Sequence, residues 1–343
     1  MGAADATLPR VTVVILAYKR LERLRETLTH TLEDLHYPRE QLELIVVDNA
    51  SENGTPEMLA AEFPDVRVIV HPTNLGTSGW NAGLLAGTGK WTLMLDDDGH
   101  LEGDTLKTAI AAAEEHQADL VSFRSRSGYD RDFYFDTDLP TGVLSFWGTA
   151  ALLSRRAIDT TGGFDPNIFI WGNELELTMR ILDAGLRHLH LPDHDAIHMK
   201  ALPVHGEPLP AKIYATNQRN LAYVTAKSLR WRHLLPALGS RFARVLFDGY
   251  ALGTGALTAL PEVVRGTVAG LRVRQPLRPE LSALYRRNFP DFRSPLVVVR
   301  GPVSRVRALR DPERAERDRA ALVERIYARR RPYYPSEPTV FSI

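Results

Sequence analysis

Short, almost unbroken apolar runs, each stopping at a polar residue, constrain this chain most. The first, VTVVILAY, covers Val11–Tyr18, and the second, ELIVVDNAS, ends on Asp48 and Asn49. A third covers Val66–Val70, and a fourth, Trp91–Leu95, runs straight into Asp96, Asp97 and Asp98. Runs this brief and this continuous are those of strands buried on both faces. Between the first two, Leu21, Leu24, Leu28, Leu32 and Leu35 recur at spacings of three and four, which is one face of a helix. A short helix is expected around Glu57–Phe63, an Ala-rich helix over Thr105–His116 and a strand over Leu120–Arg124. Strands alternating with helices specify an α/β layer with a mostly parallel sheet. Ligands of such sheets bind outside the carboxyl ends of the strands, where these polar residues stand. The stretch NLGTSGWNAG before the fourth strand is expected to be a Gly- and Asn-rich loop.

Further on, Phe133–Phe135 and Gly142–Leu153 have β character. GGFDPNIFIWGN is a loop entering a helix over about Glu174–Ala184, and LRHLHLPDHDAIHMK is expected as strand and loop. From about Pro210 helical patterns dominate. Charge divides in the same place: residues 1–205 carry 17 Lys and Arg against 31 Asp and Glu, whereas residues 206–343 carry 25 against 11. The expected organisation is therefore an α/β domain over 1–205 and a basic, mainly helical region over 206–343. The two halves can simply attract each other, or the basic one can meet an anionic lipid or acceptor. No nucleic acid partner is expected. Cysteine is absent, the N-terminus shows no signal peptide, and no uncharged apolar run reaches the roughly 18–20 residues of a membrane span. These features point to the cytoplasm, with peripheral contact at the inner face of a membrane left open.

Asp96, Asp97 and Asp98 carry the most chemistry. Carboxylates crowded at a strand end repel one another unless a cation neutralises them, and Mg²⁺ or Mn²⁺ takes such oxygen ligands together with substrate phosphates. Read alone, the triplet fits a solvated acidic turn better than a metal site. The segments VTVVILAYKR, VVDNAS, NLGTSGWNAG, LMLDDDGHL, GTAALLSRRAI, GGFDPNIF and NELELTMRILDAG follow one another in that order. Together they resemble the family-two glycosyltransferases of the GT-A fold, most of all the rhamnosyltransferase-like branch. The resemblance runs from about residue 10 to residue 225; beyond it, only the Arg219–Asn220 pair before an apolar helix fits.

The resemblance implies a metal-assisted, inverting transfer from a UDP- or dTDP-sugar donor to a hydroxyl of a glycan, a lipid-linked glycan or a natural product. It assigns Asp48 to the imide N–H of the base, with Tyr18 packed nearby. Asn74, Gly76, Gly79, Asn81 and Gly83 would form the loop beneath the donor. Asp96 and Asp98 would be the D-x-D pair, with Asp98 on Mn²⁺ or Mg²⁺, Asp96 on ribose or a metal-bound water, and Asp97 beside the donor. Trp147, Gly148, Thr149 and Trp171 would line the acceptor side. Where the family usually has Glu-Asp, this chain has Asn173–Glu174, which makes Glu174 the expected general base. Glu176 and Arg180 stand at i, i+4 and can pair. Pro192 to His198 fits the family's spacing for a histidine metal ligand, with His194 as the competitor; His188 and His190 are expected as surface histidines. Two rivals stay open: a nucleotidyltransferase that makes nucleotide-sugars, though LAYKRLERLR lacks a glycine for its phosphate loop, and a non-catalytic sugar-binding relative.

Overall fold

A computed structural model describes residues 8–130, 134, 144–200, 210–252, 254–288 and 339–341. The expected segment Phe133–Phe135 and the first residues of Gly142–Leu153 lie outside them. The chain divides into two compact units, one of residues 1–203 with 335–342 and one of residues 204–334 with 343.

The first unit is a nine-stranded mixed sheet. It is built from β1 (Val11–Ala17), α1 (Leu21–Glu33), β2 (Leu42–Asp48), α2 (Thr55–Glu62), β3 (Arg67–Val70), α3 (Trp80–Ala86), β4 (Trp91–Asp96) and β5 (Gly99–His100). There follow α4 (Thr105–Glu115), β6 (Leu120–Ser127), β7 (Ala150–Ser154), α5 (Arg155–Thr161), α6 (Asn173–Asp183) and β8 (His188–His198). The second unit holds α7 (Ala211–Ser228), α8 (Trp231–Leu252), α9 (Ala259–Arg272) and α10 (Pro279–Asn288). The last strand, β9 (Thr339–Phe341), returns to pair with β8.

The spatial order is β3-β2-β1-β4-β7-β6-β8-β5. The first four strands are parallel, and β7 enters antiparallel between β4 and β6. The runs of β1, β2 and β4 bury both faces as their continuity requires, whereas β3, at the edge of the sheet, stays partly exposed. Val11, Val13 and Ile15 pack with Leu24 and Leu28 of α1 on one side, while Val14 packs with Leu84 of α3 on the other. Asp48 and Asp96 end neighbouring parallel ladders, so their carboxyl ends lie side by side around β1.

The structure corrects two expectations. The stretch NLGTSGWNAG is only partly a loop, since its second half is α3. The segment LRHLHLPDHDAIHMK is one strand interrupted by a bulge: Leu191 pairs with Phe123 and Asp195 with Arg124, which leaves residues 192–194 outside the ladder. Among the described residues, no helix is long and apolar enough to cross a membrane.

Candidate active site

The acidic triplet leaves β4 with its three side chains committed differently. Asp97 is turned into the protein, where its carboxylate accepts the Tyr18 amide at 3.0 Å and pairs with Arg20 at 2.5 Å. Asp97, expected beside the donor, fastens the β1–α1 turn to β4. Asp98 is held from both sides, by Arg20 Nη1 at Oδ2 (2.5 Å) and by His198 Nε2 at Oδ1 (3.2 Å). Asp96, Asp98 and His198 each offer one ligand atom, and these atoms lie within 4.8 Å of one another. His194 sits in the bulge and is not part of that group.

Electrostatics separate the two outer carboxylates. Burial pushes Asp96 well above the usual carboxylate range, and the adjacent Asp98 and Asp97 push it further. Burial also pushes Asp98 upward, but His198 and Arg20 outweigh that cost and hold it below its ordinary value. One carboxylate is thus ready for a cation, and its neighbour becomes so only when positive charge arrives.

His198 is oriented from behind. Its Nδ1 lies 3.1 Å from Thr149 Oγ1, which in turn lies 3.1 Å from Ser125 Oγ. A hydroxyl at Nδ1 fixes the ring and presents Nε2 toward Asp98, the outer-shell arrangement that supports a metal-binding imidazole. Thr149, expected on the acceptor side, serves here as that support. His188 and His190 are buried, against expectation, in the part of β8 that runs between β6 and β9. Both ring nitrogens meet Ser122 Oγ, at 2.8 and 3.0 Å. Burial, with the Arg124 charge, lowers His190 to about 4, so it is neutral at physiological pH.

Glu174 is the second amino-acid residue of α6, just after Trp171 (φ 62) and Gly172 (φ 88) in left-handed conformation. Burial raises its carboxyl to about 7, although a backbone N–H and the Asn173 side chain favour the charged form. A Cβ built on Gly148 would stand 2.8 Å from Glu174 Oε1 and 4.0 Å from Asp96 Oδ2. Gly148 therefore spans the gap between the expected base and the acidic pair. Its neighbour Trp147 has a buried indole N–H without a partner among the described residues. Glu176 pairs with Arg180 at 2.7 Å, and that guanidinium also donates to the Thr161 and Gly163 carbonyls, so the pair anchors the loop before α6.

The mutation Gly148→Ala separates packing from positioning. The added methyl meets the far end of a flexible side chain, so Tm is expected to stay within about 2 °C. The same methyl displaces Glu174 Oε1, and a misplacement of this size costs about 10²-fold in turnover. Full activity in the variant would remove Glu174 from the reaction.

On the donor side, Asp48 is buried, with Oδ1 accepting the Ser51 amide at 3.1 Å, while Tyr18 stays exposed. Asn74 Oδ1 accepts from the Gly76 amide at 2.7 Å and from Asn49 Nδ2 at 2.9 Å. Gly76 has φ +60, and a Cβ there would meet the Phe169 carbonyl oxygen at 2.0 Å. Only glycine lets this loop lie against residues 168–169. Asn81, expected beneath the donor, fastens the GGF loop: its amide donates to the Phe164 carbonyl at 2.8 Å and its oxygen accepts the Phe164 amide at 2.7 Å. Gly79 and Gly83 pack on Leu16 and Val14.

Two residues escaped the sequence reading. Asn49 holds the donor-side loop through the Leu75 amide and the Gly76 carbonyl. Arg20 supplies the cation that bridges Asp97 and Asp98. The available signal was position: a basic residue just beyond β1 faces the acidic end of β4 whenever the two strands pair.

Residues 12–163 match the model of glycosyl transferase family 2. The chain is 24% identical to the glycosyltransferase AglE of Haloferax volcanii over 52% of its own length and 64% of that protein's. It is 23% identical to an N-acetylglucosaminyl-diphospho-decaprenol L-rhamnosyltransferase of Mycobacterium tuberculosis, covering 59% of this chain and 78% of that one. It thus spans less than two thirds of the first relative. Among solved structures, a mannosyltransferase of Pyrobaculum calidifontis, in complex with GDP-Man and Mn²⁺, superposes with a TM-score of 0.54 at 21% identity, over 96% of this chain and 89% of that one. The fold is GT-A, and residues 12–163, under half of the chain, are similar to glycosyl transferase family 2.

Proposed function

We propose that this chain is an inverting glycosyltransferase that moves a sugar from a nucleoside-diphosphate donor to an acceptor hydroxyl, with a divalent cation at Asp96, Asp98 and His198 and with Glu174 as general base. The observation that carries this reading is the convergence, at the carboxyl end of β4, of a three-ligand cluster and a carboxyl raised to about 7 on the far side of Gly148.

The residues suit a cation. Carboxylate oxygens with one imidazole make a donor set for Mn²⁺, and Mg²⁺ is served by the oxygens alone. Asp98 Oδ1 is, moreover, a buried carboxylate oxygen that faces the His198 imidazole nitrogen at 3.2 Å, so the two donors already converge. When bound, the cation supplies neutralisation of the charge that collects on the departing diphosphate.

The chain's own groups supply the rest. Asp48 keeps a carboxylate oxygen for a base N–H. The imide N–H of uracil or thymine fits, as does the N1–H of guanine, in keeping with the GDP-Man bound by the structural neighbour. Asn49 and Asn74 hold the loop beneath the donor, so the sugar meets a prearranged wall. Glu174 takes the proton of the acceptor hydroxyl while that oxygen bonds to the anomeric carbon. The bond from this carbon to the diphosphate oxygen breaks on the opposite face, and the nucleoside diphosphate leaves with the electron pair. A single displacement inverts the anomeric configuration. The acceptor is a glycan, a lipid-linked glycan or a natural product.

The test mixes the full chain with UDP-, dTDP- and GDP-sugars and Mn²⁺ and measures nucleoside diphosphate release. Release is expected with one donor class, and EDTA is expected to lower it by at least about 10²-fold. Pyrophosphate release from a sugar phosphate and an NTP, with no diphosphate release, would overturn the reading in favour of a nucleotidyltransferase.

A further inference from the structure

Helix α8 is apolar on two faces. Leu238, Phe242 and Val245 pack in one cluster with Ala215 and Ala222 of α7 and Val263 of α9. Trp231, Leu235 and Leu246, at spacings of four and eleven, share another face and are exposed. Trp231 is 60% exposed and Leu235 68%. Helix α9 repeats the arrangement. Gly266 and Gly270 let its inner side close on α7, where a Cβ would meet the Arg219 and Tyr223 carbonyl oxygens, while Val264, Val268 and Leu271 face outward. A helix apolar on all sides is normally covered on all sides, so the outward stripes mark a surface that meets a partner.

The start of α8 is fixed against the end of α9. Arg274, three residues beyond Leu271, stacks on the Trp231 ring at 4.3 Å and donates to the Leu229 carbonyl at 2.6 Å and to the Ala226 carbonyl. The exposed indole is therefore held in place. Charge around the stripes has mainly one sign. Residues 230–288 carry ten Arg against Asp248, Glu262 and Glu280. Asp248 is buried, and Glu262 pairs with Arg265. Residues 289–338, which follow, are themselves basic by sequence, with 12 Arg against seven Asp and Glu. Exposed arginines adjoin both stripes, Arg232 next to Trp231 and Arg272 next to Leu271. Burial lowers His233, and the charges of Arg232, Arg286, Arg230 and Arg287 lower it further, so positive charge concentrates at the start of α8.

An anionic lipid surface answers both features. Apolar side chains enter the boundary between headgroups and acyl chains, Trp sits at headgroup level, and Arg stems lie on apolar surface with their heads toward phosphates. A soluble polyanion would satisfy the arginines but leave Leu235 and Leu246 in water. A second copy of this chain would set the same arginines against each other.

We propose that α8 and the outer side of α9 form a docking surface for an anionic lipid bilayer, with Trp231, Leu235, Val268 and Leu271 at the acyl boundary and Arg232 and Arg272 on headgroup phosphates. These helices lie on the membrane rather than across it, since α8 carries Arg232, Arg241, Arg244 and Asp248 within its 22 residues. The proposal stands apart from the transfer reading, and its test needs neither donor nor metal.

The experiment sediments the full chain, in EDTA, with vesicles of phosphatidylcholine or of an equal mixture of phosphatidylcholine and phosphatidylglycerol. Wild type is expected to bind the mixed vesicles about tenfold or more tightly than the neutral ones and to lose that preference at high salt. Arg232→Gln and Arg272→Gln should each weaken binding about fivefold. The double change Leu235→Ser and Val268→Ser removes apolar reach alone. Both side chains are exposed, so Tm should stay within about 2 °C while vesicle binding weakens about tenfold or more. No binding of wild type to either vesicle, or equal binding to both, overturns the proposal. Binding that the serine variant keeps in full and that heparin competes away also overturns it, and gives the arginines to a soluble polyanion. A concentration-dependent dimer that the serine variant breaks, without vesicle binding, gives the face to a second copy instead.

Discussion

The mutation Glu174→Gln is expected to lower transfer by about 10²–10⁴-fold, the usual worth of a general base, while leaving donor binding in place. The residue also predicts the pH profile. With its carboxyl raised to about 7 by burial, kcat/KM should climb tenfold per pH unit below 7 and level off above it. The variant should lose this dependence. Stability is expected to move the other way. A carboxyl whose folded value exceeds its ordinary value of 4.5 takes up a proton on folding, so ionising it costs stability as pH rises from about 4.5 to about 7. Above 7 the whole cost is present, on the order of 1–3 kcal/mol. Gln carries none of it, so the variant should melt several degrees higher at pH 8 and match wild type near pH 4. A variant that loses activity and also melts lower at pH 8 would mark Glu174 as a structural residue.

The contrast between what the sequence disclosed and what it withheld follows the range of the interactions. Strands β1, β2 and β4 were legible because burial on both faces writes a continuous apolar run, and the site was legible as the polar residues ending those runs. The helix α3 was not, since Trp80, Asn81 and Gly83 read as loop residues. It forms because Trp80 and Leu84 bury against Val14, Ile45 and Val47, and because Gly83 lets its backbone close on Val14. The His188 and His190 pair looked exposed for a similar reason: alternation of His with Leu suggests a half-solvated strand, and only the assembled sheet brings Ser122 of β6 to both rings and buries them. Arg20 was invisible as a site residue because its partners, Asp97 and Asp98, are 77 and 78 positions away and reach it only once β1 and β4 pair.

A second large effect is expected from Asp98→Asn. The amide keeps the size of the side chain but offers the cation a neutral oxygen, and it removes the carboxylate shared by Arg20 and His198. Losing a carboxylate ligand takes away several kcal/mol of leaving-group stabilisation, so transfer should fall by about 10³-fold or more. Binding supplies a readout independent of activity. A ligand that binds only the folded chain stabilises it in proportion to the logarithm of its concentration over Kd, so Mn²⁺ should raise the Tm of wild type. The Asn variant should show little or no rise at the same concentration. Its metal-free form is expected to relieve Asp96, whose carboxyl is raised by burial and then by the Asp98 charge. The apo variant should therefore fold, with Arg20 retained by Asp97. A metal-free variant as stable as wild type but unresponsive to Mn²⁺ would identify Asp98 as a ligand. An Mn²⁺ response equal to that of wild type would instead assign the carboxylate to the ion pair with Arg20 alone and move the cation site elsewhere.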